Sequence, residues 1–273
     1  MTREGAALSG LRIALVGAGR MGGAMLEGWL KAGLAPSNTI IVDPSPSPAV
    51  KTLLEGHDVA HSLSGQPVDI LVLAVKPQVM DDVLRPLAKQ ISDDALVVSV
   101  AAGRSAASIA AILGDRAIVR AMPNTPALVK RGIAGLWAND AVSPQQRERA
   151  ETLLAAVGET VWVDVEADID AVTAVSGSGP AYVFHMVEAL AEAGEAAGLA
   201  PETAMRLARA TIAGAGALID GSDEDAATLR RNVTSPGGTT AAALDVLMAP
   251  DALPALMRRA VAAAKARSEE LGA

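Results

Sequence analysis

The stretch "LRIALVGAGRMGG", residues 11–23, decides the fold. Its first half is an apolar run rich in strand-forming residues, and its second half is mostly glycine. "GAGRMG" (17–22) has the spacing G-x-G-x-x-G, which alone is weak because many unrelated loops carry it. Here it directly follows a predicted strand and directly precedes "AMLEGWLKAG" (24–33), whose apolar residues recur with helical spacing and which Gly33 stops. That context gives each glycine a task. Gly17 permits the tight turn, Gly19 lets the backbone approach a pyrophosphate, and Gly22 lets the helix pack on the strand. Ala18, Arg20 and Met21 complete the loop, and the helix N-terminus offers unpaired N–H groups to phosphates. The plainer reading is a strand-to-helix turn with no ligand.

Outward from this loop, further apolar runs alternate with helical segments. "TIIVD" (39–43), "DILVLAVKP" (69–77), "ALVVSVAAG" (95–103) and "AIVRAMPNTPA" (117–127) read as buried strands. "IAGLWAND" (133–140) and "TVWVDVE" (160–166) read as two more, flanking the helix "PQQRERAETLLAAVG" (144–158). Continuous apolar strands alternating with helices predict a parallel sheet covered on both faces, an α/β Rossmann-type domain. Past about residue 165 the pattern turns helical, and no convincing strand remains. The boundary is placed near 163–168, giving a dinucleotide-binding domain over 1–164 and an all-α domain over 165–273.

Asp43 closes the second strand about twenty residues after the glycine loop, where an acid accepts ribose hydroxyls and repels a 2′-phosphate. A turn cap before "PSPSP" would use the same residue. No arginine lies in 43–50, Lys51 is the nearest cation, and Ser45 and Ser47 can donate hydrogen bonds. "AVKPQ" (74–78) and "SVAAG" (99–103) end the third and fourth strands at the edge where such sheets bind ligands. This makes Ala74, Val75, Lys76, Pro77, Ala102 and Gly103 candidate cofactor contacts. Lys76 also reads as a solvated lysine after a strand. "RAMPNTPA" (120–127) is either a rigid turn or a polar contact through Asn124 and Thr125.

Composition narrows the function classes. The chain has 273 residues, of which 51% are hydrophobic and 20% charged, so it can bury a core. A net charge of -8 argues against a general hold on nucleic acid or anionic membrane. No apolar run reaches the ~18 residues of a membrane span, and the opening "MTREGAALSGLRIALVGAGRMGG" does not read as a signal peptide, because glycines and Arg20 break its apolar stretch. There are no cysteines, hence no disulfide or thiolate metal site, which fits a cytoplasmic protein. His57, His61 and His185 lack metal-ligand spacing, and no metal is expected.

Two motifs stand out in the helical half. In "SGSGPAY" (176–182), Ser178 is a plausible cap and Pro180 suits a first helical turn. "NVTSPGGTT" (232–240) gathers small hydroxyls and bare backbone in one place. Gly237 and Gly238 expose N–H groups, Ser235, Thr239 and Thr240 add neutral donors and acceptors, and the helix that follows suits a carboxylate. Such a loop can hold a small zwitterion. A capped helix-to-helix turn explains one hydroxyl and one glycine but poorly explains all five.

With these motifs in view, the chain resembles the pyrroline-5-carboxylate reductase family nearly end to end. "GAGRMG", "AVKPQ", "RAMPNTPA", "DAVTAVSGSGPAY" and "NVTSPGGTT" occur in the family's order, and the last two are specific to it. The resemblance implies a Rossmann domain followed by a helical dimerisation domain, with a substrate pocket between two subunits of a dimer or a ring of dimers. Asn232 resembles a residue that meets the cofactor across the dimer. Ser235, Gly238, Thr239 and Thr240 resemble the loop holding the substrate carboxylate and ring nitrogen, with Thr240 and Ser235 the candidate catalytic residues and Gly237 beside them. Glu166 resembles an acidic residue near the substrate in some relatives. The implied reaction is reduction of (S)-1-pyrroline-5-carboxylate to L-proline by NADPH or NADH. His61 and Asp43 depart from the family pattern, and both bear on cofactor preference.

The resemblance also explains why no general base stands out. A protonated imine is already electrophilic, so the protein supplies mainly position and electrostatics. Other readings share parts of the pattern. A β-hydroxyacid dehydrogenase would show a catalytic lysine in its helical half, where the only lysine after residue 131 is Lys265. An imine reductase for another cyclic substrate would share nearly everything. A non-catalytic dinucleotide sensor would have little use for "TSPGGTT".

Overall fold

The structure, a computed structural model, describes residues 8, 10–57, 59–63 and 67–272. The first strand, β1 (Ile13–Val16), is buried throughout, and its neighbours lie on both sides. The rest of the sheet is β2 (Thr39–Val42), β3 (Ile70–Leu73), β4 (Leu96–Ser99), β5 (Ile118–Met122), β6 (Gly132–Ala138) and β7 (Gly158–Trp162). The order is β2-β1-β3-β4-β5-β6-β7. Val16 pairs with Val42 on one side and Leu73 on the other, all in parallel register. Side chains alternate between faces, so Ile13 and Leu15 join one apolar cluster while Ala14 and Val16 join another. Both faces are therefore covered, as the apolar runs predict.

The expected parallel sheet has one exception. β6 runs antiparallel to β5. The link 123–131 holds only a 3-10 turn, Thr125–Val129, and Lys130 in the left-handed region at φ 58°. A parallel return needs a crossover of a dozen or more residues, so this short link brings the chain straight back. Parallel pairing resumes at β7, after α5 (Pro144–Ala155) crosses over. The other helices of this half are α1 (Arg20–Lys31), α2 (Pro48–Leu54), α3 (Met80–Leu87), α4 (Ala106–Leu113) and α6 (Asp168–Val172). Trp29 of α1 is fully buried and donates its Nε1–H to the Leu153 carbonyl at 2.8 Å, tying α1 to α5.

The chain forms two compact units, one of residues up to Gly177 together with 264–273, the other Ser178–Ala263. Residues 165–177, grouped with the helices by the sequence reading, pack with the sheet, because Ile169 and Ala174 are buried there. The second unit contains α7 (Gly179–Ala196), α8 (Pro201–Asp220), α9 (Ala226–Asn232), α10 (Thr239–Leu247) and the start of α11 (Leu253–Gly272). Gly194 lets α7 approach α8, since a Cβ there would lie 3.1 Å from that of Ala204. Among the described residues of this unit, Ala191, Ala204 and Ala208 alone are buried. Phe184, Leu218 and Val246 stay 63%, 64% and 71% exposed, so its apolar surface lacks a core to enter within the unit.

Candidate active site

Strand order reverses direction between β1 and β3, and ligands of such sheets bind in the crevice outside the carboxyl ends at that point. The glycine loop occupies it. Gly17 has φ +94°, and a Cβ on it would lie 2.7 Å from the backbone of Ala74. A Cβ on Gly22 would lie 2.1 Å from the Gly17 carbonyl oxygen, so the start of α1 rests directly on the turn. Gly19 is the N-cap residue and faces open space. The first helical bond runs from Gly23 N–H to the Gly19 carbonyl at 2.8 Å, which leaves the N–H groups of Arg20, Met21 and Gly22 pointing outward from the helix end. An anionic diphosphate fits this arrangement of donors and missing side chains.

Asp43 lies just past β2, where it closes the turn and also binds the glycine loop. Its Oδ2 accepts from the Ala18 N–H of the glycine loop at 2.6 Å, and its Oδ1 accepts from Ser45 N–H at 2.7 Å. The carboxylate is thus pinned beside the loop, and each oxygen keeps a lone pair for a hydroxyl. Ser47 caps α2 through Val50 N–H, and Lys51 and His61 are exposed.

The other strand ends line up along the same edge. Ala74 N–H donates to the Val16 carbonyl at 2.8 Å, Ala74, Val75 and Pro77 are half-buried, and Lys76 is exposed. After β4, Ala102 is half-buried and Gly103 turns at φ +66° beneath the backbone of Leu271. Arg104 pairs with Asp81 of α3, joining the loops that follow β3 and β4.

Glu166 has a structural task that the sequence did not reveal. Its Oε1 accepts from Ala106 N–H, the first residue of α4, at 2.7 Å and pairs with Arg120 of β5 at 3.0 Å. Arg120 is buried within the sheet. A charged residue in a buried strand is the one available signal for such a pair, because buried charges are found paired.

In the second unit the hydroxyl-rich loop is a turn between α9 and α10. Gly238 N–H donates to the Ser235 carbonyl at 3.0 Å, and a Cβ on Gly238 would lie 2.4 Å from Ser235 Oγ. Gly237 has φ +68°. Gly238 caps α10 without a side chain, and the first helical bond comes from Ala242 N–H. The N–H groups of Thr239, Thr240 and Ala241 therefore point out of the helix end, beside the hydroxyls of Ser235, Thr239 and Thr240. Asn232 ends α9 and donates its Nδ2–H to Glu224 at 2.9 Å. Asp225 caps the start of α9, and the Thr228 N–H and then its hydroxyl hold the Asp225 carboxyl below the ordinary carboxylate range.

The first unit thus gathers Gly17–Gly22, Asp43, Ala74–Pro77, Ala102 and Gly103 at one sheet edge. The second gathers Ser235–Thr240 at one helix end. Glu166 belongs with the first unit, at the start of α4.

Comparison with known proteins shows what the chain is similar to. Residues 166–271 match the family model for pyrroline-5-carboxylate reductase dimerisation, and residues 12–103 match that for NADP oxidoreductase coenzyme F420-dependent. The pyrroline-5-carboxylate reductase of Pseudomonas aeruginosa is 46% identical, over 95% of this chain and 96% of that protein. That of Haemophilus influenzae is 41% identical, over 95% and 97%. A solved pyrroline-5-carboxylate reductase from Coxiella burnetii superposes with a TM-score of 0.88 at 37% identity, covering 96% of this chain and 99% of that one. A Plasmodium falciparum pyrroline carboxylate reductase with NADP bound superposes at 0.81 and 28% identity, over 97% and 100%.

Proposed function

The chain belongs to the pyrroline-5-carboxylate reductase family, and we infer that it reduces (S)-1-pyrroline-5-carboxylate to L-proline as an NAD(P)H-dependent oxidoreductase. The observation that carries the inference is the pairing of two half-sites in one sequence: a glycine cradle at the sheet's switch point and an open, uncharged helix end flanked by hydroxyls.

The glycine cradle fits the dinucleotide named in the Plasmodium relative, since Cβ atoms at Gly17 and Gly22 would fill the space its turn requires. When bound, the reduced nicotinamide supplies a hydride. Gly17–Gly22 hold the diphosphate, Asp43 faces the adenosine ribose, and Ala74–Pro77, Ala102 and Gly103 line the way toward the reacting end. Asp43 favours the two ribose hydroxyls over a 2′-phosphate, so NADH competes with NADPH in this chain. Asn232 contacts the cofactor once released from Glu224.

The substrate is a small carboxylate with a C=N bond. The N–H groups at the start of α10 and the Ser235 and Thr239 hydroxyls hold its carboxylate. The Thr240 hydroxyl hydrogen-bonds the ring nitrogen and aligns the adjacent carbon. Glu166 acts near the substrate only through the oxygen not committed to Ala106 and Arg120. Holding the carboxylate by dipoles rather than by a buried cation leaves no unpaired charge when the site is empty.

The protein is a homo-oligomer. We propose that its unit is a dimer, alone or in a ring of dimers, in which the two half-sites meet across the subunits. Among the described residues no helix is long and apolar enough to cross a membrane. A cytoplasmic location fits the cysteine-free composition, and the net charge of -8 argues against nucleic acid as a partner.

The test is substrate comparison. Pyrroline-5-carboxylate is expected to exceed 1-pyrroline, which lacks the carboxylate, by about a hundredfold or more in kcat/KM, as loss of a charge-assisted anchor requires. Equal rates for the two would show that the loop does not hold a carboxylate.

A further inference from the structure

Where the first unit ends, the helical chain widens. Residues Thr173–Gly177 form a π-turn between α6 and the residues that lead into α7. Such turns are rare and concentrate at functional sites, because a widened turn leaves carbonyls without their usual partners. Side-chain hydroxyls bond back to the preceding turn here. Thr173 Oγ1–H donates to the Ile169 carbonyl at 2.8 Å, and Ser176 Oγ–H donates to the Val172 carbonyl at 3.0 Å. The Ser176 carbonyl accepts from the amide of Asn124 at 3.1 Å.

Asn124 is buried at the carboxyl end of β5, on the sheet edge that carries the cofactor residues. Both ends of its amide are used. Nδ2–H holds Ser176, and Oδ1 accepts from Ile133 N–H at the start of β6 at 3.0 Å. The contact is close on either side. A Cβ on Gly177 would lie 2.7 Å from the terminal methyl of Met122, and one on Gly135 would lie 2.6 Å from the Val172 side chain. The motif "RAMPNTPA" therefore seats the motif "DAVTAVSGSGP", and one amide joins them.

We infer that Asn124 is a positioning residue for hydride transfer. Its amide is committed to Ser176 and Ile133, outside the residues assigned to cofactor and substrate. It fixes the π-turn at Ser176, two residues before the chain enters the unit that carries Ser235–Thr240. In the proposed dimer each turn links a subunit's sheet to the paired helical units that hold substrate, and the substrate's carbon must sit within a narrow distance of the nicotinamide, so slack in this turn lowers turnover while the cofactor's own contacts stay intact. The inference rests on the proposed reduction.

Two variants separate the amide's two bonds. Asn124→Ala removes both, whereas Asn124→Asp keeps an acceptor for Ile133 and loses the donor to Ser176. Wild-type reduction of pyrroline-5-carboxylate is measured first, and its absence sinks the proposed function itself. Given wild-type activity, both variants are expected to lose kcat by about tenfold to hundredfold. NADPH Kd, read by fluorescence, is expected to stay within about twofold, the margin for sites without shared partners. Amide hydrogen exchange in 173–177 is expected to rise. Wild-type kcat in Asn124→Asp overturns the inference, because the bond to Ser176 then does nothing for turnover. So does a parallel loss of kcat and NADPH affinity, or failure of both variants to fold, since either makes the amide a support of the whole fold.

Discussion

Thr240 is the residue on which the proposed chemistry turns. Its hydroxyl sits beside open N–H groups at the start of α10 and is only half-buried, so a small ligand can reach it. Thr240→Ala removes a hydrogen bond to a charged imine, worth roughly 1.5–3 kcal/mol. The expected result is a fall of about tenfold to hundredfold in kcat/KM for the imine, with dinucleotide affinity unchanged. Steady-state kinetics with parallel cofactor titration measures both, and wild-type kinetics in a folded variant would remove Thr240 from the mechanism. Asp43 gives a second prediction. Its carboxylate is pinned beside the glycine loop by Ala18 and Ser45, and in the proposed site a 2′-phosphate would meet it there. Asp43→Ser is expected to shift the NADPH-to-NADH ratio of kcat/KM toward NADPH by about tenfold, the equivalent of ~1.4 kcal/mol. An unchanged ratio places Asp43 away from the ribose. Asp43 also shows what sequence can tell. Its distance from the glycine loop points to a ribose contact, and "PSPSP" points to a turn. The hydrogen bond to Ala18 depends on how β2 registers against β1, and no spacing rule contains that.

Elements were legible where local pattern and tertiary environment agree. β1 and α1 follow from an apolar run, three glycines and a helical repeat, because the sheet interior demands what the pattern offers. The reversal at β6 was not legible, since its residues suit either direction and the decision lies in the length of the link 123–131. Nor was the place of α6, where five residues are too few for periodicity to reveal which surface buries Ile169. The Glu166 network belongs to this scale, because it ties Glu166 to Arg120 of β5 across 46 residues of sequence and to Ala106 at the start of α4 across 60. Glu166→Ala strands a buried guanidinium and uncovers the Ala106 N–H, at a cost of about 3 kcal/mol. A lower thermal midpoint is expected, and an unchanged midpoint would show that Arg120 finds another partner. The α9 cap has a pH signature. Asp225 has its carboxyl lowered by Thr228, so its stabilisation is complete above the ordinary carboxylate pKa and is lost as pH falls through the lowered one.

The whole molecule is incomplete as one chain. A helical unit that buries only three alanines among its described residues, yet exposes Phe184, Leu218, Ile219 and Val246, needs a partner surface. Light scattering at micromolar concentration is expected to give a dimer or a multiple of it, and a monodisperse monomer would contradict this. Composition had indicated as much, since alanine- and glycine-rich helices such as "ATIAGAGALI" (210–219) pack closely but make little core alone. The break between α9 and α10 was legible because proline and paired glycines interrupt the helical pattern there. The central claim is that this oligomer carries hydride to a cyclic imine. The direct measurement mixes purified protein with NADPH and pyrroline-5-carboxylate, following nicotinamide absorbance and assaying proline. Cofactor oxidation that requires both substrate and protein, with one proline formed per NADPH consumed, is the predicted result. A folded oligomer that binds NADPH but oxidises neither NADPH nor NADH faster than the protein-free mixture would contradict it.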